Sequence, residues 1–336
     1  MVVAVLSSPR RPFAATRRTR FPYSIAIYST PIRFFALTFI CIYVVTTFIA
    51  SAFMSAMATS NPLVVATRLH LGHASHPPSS SQLFEILSSF DRLAVTVGAD
   101  HAVIAVDADE KFEGFDLIDE VATICKSLGV DETHAPLHTI IHVLPVTPWG
   151  KFVPALNAIV SWSAKHEARY LLLASAEVQL TKSVIEVMKQ KFDVEKTLVV
   201  GTVLPGHEYK STGRGDEVEV ALTGRTTPWN TNAIWNVPKL ALTGFLLISE
   251  GLHPDEDGRE GASGVEEVCT IATLQRILQP NHAQAKLVSI PGATWGQDFE
   301  NDEKRKEWHE KKMMSKYTRA KKQLDLLGLS GTVTHC

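Results

Sequence analysis

The sequence predicts an α/β fold: a Rossmann-like, mostly parallel central sheet flanked by helices and preceded by an N-terminal hydrophobic segment. Three observations predict it. From Leu63 onward short apolar runs alternate with amphipathic stretches, the order that builds parallel strands joined by crossover helices. The run Tyr170–Ala174 is continuously apolar, with charge before it and Ser175-Ala176-Glu177 after it, as in a central strand covered on both faces. Just ahead of it, a loop at Trp149-Gly150 opens a helix with Pro154 in its first turn and apolar Leu156, Ile159, Val160 and Trp162.

The remaining elements follow in order. Leu63 to Leu69 reads as the first strand. A His-, Pro- and Ser-rich loop then leads to a helix near Gln82 to Leu93, and Ala102 to Val106 is the second strand, ending in Asp107-Ala108-Asp109. Two carboxylates at a strand end suit a ribose, a base or a metal, although Asp is also common in plain turns. Asp116 to Leu128 has the helical period. His138 to Val146 is a third strand, Lys182 to Phe192 a helix, Thr197 to Leu204 a further strand and Val218 to Leu222 a short one.

The stretch Pro228 to Phe245 reads as a tryptophan-rich turn followed by a helix. Trp229 beside Asn230 suits a sugar or a base, because an aromatic face and amide donors lie together; packing of the indole into a core is the alternative. Ser249 to Gly264 is acidic and Gly-rich. It leads into Glu266-Glu267 at the start of a helix reaching Leu278, where acids favour the positive end of the macrodipole, and where one of them is equally suited to be a general base. Ala285 to Ile290 is the last strand expected. From Asn301 to Gly328 a basic helix carries Met313, Tyr317, Ala320, Leu324 and Leu327 as its apolar stripe; its Lys and Arg residues are expected to solvate the outer face, contact with a phosphate or membrane surface being the other reading.

Charge and cysteine usage narrow the function. Lys and Arg number 33 against 35 Asp and Glu, so no basic bias points to nucleic acid. Cys41, Cys125, Cys269 and Cys336 are scattered without a pair at metal-ligand spacing. The charge is uneven along the chain, however: residues 1–33 hold arginines at 10, 11, 17, 18, 20 and 33, and no acid precedes Glu85. Residues 34–53 are uncharged and long enough to cross a bilayer, which with the arginines ahead of them predicts a single-pass anchor with a cytosolic N-terminus, of the ER or Golgi type. Other readings stay open: a signal peptide cut near Ala50-Ser51-Ala52, an organelle transit sequence, or a start at Met54 or Met57 giving a cytosolic product. The expected parts are a leader over 1–62, an α/β domain over 63–300 and a helix with its tail over 301–336.

The order of these features resembles the GT-A nucleotide-sugar glycosyltransferases of the family-two type, over about Leu63 to Ile290. The resemblance rests on Asp107-Ala108-Asp109, Ala155-Leu156-Asn157, the strand ending in Ser175-Ala176-Glu177, Thr243-Gly244-Phe245 and Glu266-Glu267. It implies transfer of a hexosyl group from a nucleotide-diphosphate donor to a hydroxyl acceptor, with inversion. Asp107 and Asp109 are then expected on the nucleotide, and Lys151, Asn157, Ser175, Glu177, Trp229 and Asn230 around the donor. Glu266 or Glu267 is expected as the base. Relatives carry Asp-x-Asp where this chain has Ser175-Ala176-Glu177, so a divalent cation (manganese or magnesium) would fall to Glu177 and Asp109, or His207 and basic residues would take its place. With one carboxylate left in that tripeptide, a binding or scaffold protein without turnover is the alternative.

Overall fold

The computed structural model describes residues 62–71, 74–109, 111–128, 140–175, 178–211, 216–251, 265–295 and 303–336, with backbone alone for 294–295 and 303–314. The chain divides into Met1–Ser60 and Asn61–Cys336, and the described residues all belong to the second unit. Residues 34–53 and Glu177 lie outside them. Among the described residues no helix is long and apolar enough to cross a membrane.

The elements in chain order are β1 (Leu63–Leu69), α1 (Ser80–Val97), β2 (His101–Asp107), α2 (Leu117–Leu128), β3 (Ile141–Val146), α3 (Val153–Lys165), β4 (Tyr170–Ala174), β5 (Val178–Gln179), α4 (Lys182–Gln190), β6 (Thr197–Thr202), β7 (Val218–Ala221), β8 (Asn232–Asn236), α5 (Val237–Leu240), α6 (Glu266–Leu278), β9 (Gln284–Val288), β10 (Thr294–Trp295), α7 (Glu303–Leu327) and β11 (Thr332–His335). Short 3-10 turns lie at Leu247–Glu250 and Pro280–His282. Nine strands form one sheet in the order β3-β2-β1-β4-β8-β6-β9-β11-β7, and β5 pairs with β10 in a separate ribbon. Neighbours run parallel except where β8 meets β4 and β6, and where β7 meets β11.

Strand alternation sends successive residues to opposite faces, which builds two cores. Val64 and Ala66 of β1 and Leu171 and Leu173 of β4 pack on one side with α3, α6 and α7. Leu63, Val65, Tyr170 and Leu172 pack on the other with α1, α2 and α4. Both faces of β4 are therefore sealed, and truncating a fully buried side chain such as Leu172 to Ala would cost about 2–5 kcal/mol. Local signals set the helix ends. Ser79 and Gln82 form a capping box at the start of α1, and Gly98 closes it in the left-handed region at φ 64°.

Two elements depart from the sequence expectation. The stretch after Trp229, expected as turn and helix, contains the fully buried strand β8 inserted antiparallel between β4 and β6. Its Asn side chains bond sideways: Asn232 Nδ2 donates to Thr202 Oγ1 at 2.6 Å, and Asn236 Nδ2 donates to the Val194 carbonyl at 3.0 Å. The other departure is at the C-terminal end, where Thr332–His335 joins the sheet between β9 and β7. The stripe of α7 also turns: Tyr317 is 44% exposed, whereas Ala320, Gln323 and Leu324 are buried. Gln323 is drawn inward because its Nε2 donates to the Ile248 carbonyl at 2.7 Å, while its Oε1 accepts from Cys269 Sγ.

Candidate functional site

β1, β2 and β4 run parallel, so their C-terminal ends share one edge of the sheet. Ligands of open α/β sheets bind beyond that edge. A cleft of about 560 Å³ opens there, lined by residues 66–70 at the end of β1, Ile86, Leu87 and Phe90 of α1, Phe152 and Leu156 of α3, Ser175 after β4, Asn230 and Thr231 before β8, Glu266 and Glu267 of α6, and Lys316 and Arg319 of α7.

The order of the cleft begins at Asn230. Its backbone N–H donates to Glu267 Oε1 at 2.6 Å, its Nδ2 donates to Glu266 Oε1 at 3.4 Å, and its Oδ1 accepts from Trp235 Nε1 at 2.9 Å. An indole nitrogen only donates, which fixes the amide orientation and aims the NH₂ at Glu266. Asn230 itself is placed by the chain crossing between strands, since Ser175 N–H donates to the Thr231 carbonyl at 3.0 Å. Glu267 is 4% exposed. Burial, reinforced by the neighbouring Glu266 carboxylate, pushes its carboxyl up to about 7, against the pull of Lys316 and the Asn230 N–H. A buried acid that exchanges its proton near neutrality is suited to general acid–base work.

Cations face these acids. Burial lowers the Arg319 guanidinium from its usual value while Glu266 and Glu267 pull it back. Lys316 Nζ lies 3.6 Å from the centroid of the Trp229 ring, and the His207 ring stacks on Trp229 at the same centroid distance of 3.6 Å. Two groups that close cannot share a face, so the indole is sandwiched between imidazole and ammonium. His207 is neutral in this stack: Nδ1 accepts from Leu204 N–H at 2.8 Å and Nε2–H donates to the Thr227 carbonyl at 3.0 Å. Burial and the nearby Lys316 push its pKa down to about 3. Trp229 is 1% exposed and donates Nε1 to the Gly224 carbonyl at 2.9 Å. The indole expected against a sugar is thus packed inside, with Lys316, a cleft residue, over its ring.

The other expected residues separate into groups. Ser175, Asn230, Glu266 and Glu267 converge on the cleft. Asp107 and Asp109 line a neighbouring hollow of about 350 Å³ with Lys111 and Asp116. There Asp107 Oδ1 accepts from Asp109 N–H at 3.1 Å, and Oδ2 lies 3.1 Å from Lys111 Nζ. Asp109 is exposed, and its oxygens accept from Trp149 N–H at 3.0 Å and Thr147 Oγ1 at 2.7 Å, which hold its carboxyl below the usual range. Asn157 lines neither hollow: Oδ1 accepts from Phe245 N–H at 2.7 Å and Nδ2 donates to the Phe245 carbonyl at 3.0 Å. Lys151 is exposed, and its N–H donates to Glu250 Oε1 at 3.1 Å.

This donor set does not fit a divalent cation among the described residues. Such an ion takes several convergent oxygens. Asp109 accepts from N–H and hydroxyl groups, Asp107 Oδ1 accepts from an N–H and its Oδ2 lies 3.1 Å from the Lys111 ammonium, Ser175 offers a hydroxyl, and Glu266 and Glu267 face Asn230, Lys316 and Arg319. Glu177 lies outside the described residues. Arg68, Lys316 and Arg319 are cleft residues that reading the sequence did not select; the i, i+3 spacing of the last two was the one available signal.

No family profile matches this chain, and no curated protein matches it. Distant likenesses to solved structures exist. Residues 1–349 of S. aureus TarS in complex with UDP-GlcNAc are 13% identical, with a TM-score of 0.41 over 70% of this chain and 59% of that one. The M. tuberculosis glucosyl-3-phosphoglycerate synthase is 11% identical at a TM-score of 0.39, over 68% and 71%. A 4-diphosphocytidyl-2C-methyl-D-erythritol synthase from Anaerococcus prevotii is 10% identical at 0.32, over 65% and 96%. The match spans only 37% of a longer S. aureus TarS chain. Likenesses this distant leave the family unassigned.

Proposed function

We propose that the protein is a glycosyltransferase-like enzyme of hexosyltransferase type, moving a sugar from a nucleotide-diphosphate donor to a hydroxyl acceptor with inversion. The observation that carries the reading is Glu267: a buried carboxyl with an elevated pKa, held by the Asn230 N–H, in a cleft beyond the C-terminal strand ends. Glu267 takes the proton of the acceptor hydroxyl as its oxygen bonds to the anomeric carbon. The bond from that carbon to the diphosphate breaks with its electron pair going to the leaving group. Asn230 and Glu266 orient Glu267, and Ser175 lies on the donor side. Asp107 and Asp109, in the adjoining hollow, serve the nucleotide end. Residues 34–53 anchor the chain in a membrane with the cytosol on the N-terminal side; protease protection of a tagged N-terminus in microsomes would overturn that orientation.

The test is release of nucleoside diphosphate from a panel of UDP- and GDP-sugars offered with hydroxyl acceptors. Glu267→Gln should lower turnover at least 100-fold while leaving donor binding within a few-fold. Unchanged turnover in that variant would remove Glu267 from the reaction. Ser175 in place of a carboxylate favours a second reading, a binding protein without turnover. Ligand-induced thermal stabilisation with no diphosphate release would establish it.

A further inference from the structure

Four consecutive backbone carbonyls just ahead of Asn230 each accept a hydrogen bond: Gly224 from Trp229 Nε1 at 2.9 Å, Arg225 from the Glu208 N–H at 2.8 Å, Thr226 from His335 Nε2 at 3.1 Å and Thr227 from His207 Nε2 at 3.0 Å. The two histidines work alike. His207 Nδ1 accepts from the Leu204 N–H at 2.8 Å, and His335 Nδ1 accepts from the Lys210 N–H at 2.9 Å. A ring nitrogen that accepts from an N–H carries no proton, so each imidazole is the neutral Nε2–H tautomer, bridging one backbone donor to one backbone acceptor. Burial pushes both rings away from the charged form. Lys316 and His335 add to this at His207, as does Lys210 at His335 against the pull of the Thr226 carbonyl. Each ring also stacks, His207 on Trp229 and His335 on Tyr209. One follows β6 and the other closes β11, yet they grip adjacent peptides.

The segment held in this way leads to the cleft. Thr226, Thr227, Trp229 and Asn230 are buried, and a Cβ on Gly201 would lie 2.6 Å from Pro228 Cβ, so the turn rests directly on β6. Asn230 then gives its N–H to Glu267 Oε1 at 2.6 Å. A hydrogen bond weakens steeply with misalignment, so this contact depends on the course of the chain that delivers it. We propose that His207 and His335 are positioning residues: by gripping Thr227 and Thr226 they fix the path to Asn230, and so the N–H that holds Glu267. The inference rests on Glu267 as the proposed base. Neither ring is among the residues lining the cleft, and each acts through Asn230. An imidazole suits the task because it is rigid and carries an acceptor and a donor on separate corners. A glutamine amide offers the same pair of groups, and a phenyl ring offers only the shape.

His335→Phe keeps a ring against Tyr209 and loses both hydrogen bonds, whereas His335→Gln keeps an acceptor and a donor. Two readouts on the full chain test the proposal: a carboxyl-carbon NMR titration, with Glu267 assigned by the signal lost in Glu267→Gln, and the pH profile of diphosphate release from UDP- and GDP-sugars offered with hydroxyl acceptors. In His335→Phe, Glu267 should titrate about one pH unit higher, since a carboxylate that loses a donor is harder to ionise. Turnover should fall about tenfold with KM within about threefold. His335→Gln should return both close to the parent. His207→Phe, which releases Thr227 instead, gives the same readouts should the β11 variant fail to fold. In the unaltered protein, long-range proton–nitrogen NMR should show Nδ1 of both rings unprotonated at pH 7, and a protonated Nδ1 in either ring overturns the proposal without any variant. Lost stability alone, with the Glu267 titration and the turnover per folded molecule unmoved in the Phe variants, also overturns it. A shifted Glu267 titration in a protein that releases no diphosphate leaves the positioning pair standing and removes the enzymatic reading. Release that depends on Glu267 but ignores both Phe variants leaves that reading standing and removes the pair. No release and no shift overturn both.

Discussion

Glu250 Oε1 lies 2.6 Å from the backbone nitrogen of Val153, although the two residues are 97 apart in sequence. The same oxygen accepts from Phe152 N–H at 2.7 Å and from Lys151 N–H at 3.1 Å. Helix α3 has no side-chain cap of its own at Phe152, so a carboxylate from a distant turn satisfies its first-turn donors and meets the positive end of its dipole. Gly150, at φ 63°, leaves room for it, since a Cβ there would sit 2.8 Å from Glu250 Oε2. Glu250→Ala should cost about 2 kcal/mol by urea unfolding, the range of a lost cap combined with charged hydrogen bonds. A cost below about 0.5 kcal/mol would show that water replaces the carboxylate.

Glu267 gives a pH signature of opposite character. Its folded pKa, about 7, stands above the ordinary 4.5, so between those values the folded state keeps a proton that the unfolded chain has lost. Its contribution is complete below pH 4.5 and is lost as pH rises through 7. Glu267→Gln removes that loss. The variant should therefore be more stable than the parent at pH 8, with the difference shrinking toward pH 5, while turnover collapses. Equal destabilisation at both pH values would mark Glu267 as a structural hydrogen-bond partner only.

His207 works the other way. Its folded pKa of about 3 lies below the ordinary 6.5, with burial the main cause and Lys316 and His335 adding repulsion. As pH falls below 6.5 the unfolded chain takes up a proton that the folded state refuses, so stability declines by about 1.4 kcal/mol per pH unit. The difference in unfolding free energy between the parent and His207→Gln, measured in urea at pH 7, 6 and 5, should carry that slope, since the opposite contribution of Glu267 is common to both proteins. Parallel slopes would mean that imidazole charging is not what the stack opposes.

Asn157 distinguishes a structural amide from a ligand contact. Asn157→Asp keeps the acceptor for Phe245 N–H but sets a carboxylate against the Phe245 carbonyl, where the amide donated at 3.0 Å. The expected result is a loss of about 1–3 kcal/mol in stability with nucleotide affinity within twofold of the parent. A tenfold affinity change at unchanged stability would return Asn157 to the donor site.

Much of the sheet was legible because its strands are written as apolar runs. Leu63–Leu69 and Tyr170–Ala174 begin and end where charge and polar residues bound them. β8 was not, because its five residues include an Asn at each end, and only the pairing with Thr202 and the Val194 carbonyl makes those amides tolerable in the interior. β11 was hidden for a similar reason: Thr332, Thr334 and His335 surround one apolar residue, Val333. In the site, the paired glutamates stood out as acids at a helix start. The cations facing them did not, since lysines on a basic helix ordinarily point to water, and only tertiary packing against Gly224 and Trp229 shows which of them turn inward.

The place of α7 and β11 in the chain has a consequence for synthesis. A ribosome delivers the Glu266–Glu267 side of the cleft roughly fifty residues before Lys316 and Arg319, at about 5–20 residues per second. Until Thr332–His335 emerge, β7 lacks the one strand it pairs with among the described residues. A nascent chain therefore holds an acidic half-cleft beside an unpaired edge, and acquires its opposing charge and its last sheet contact in a single late event. The time during which that edge waits for its partner is set by the distance from β7 to β11.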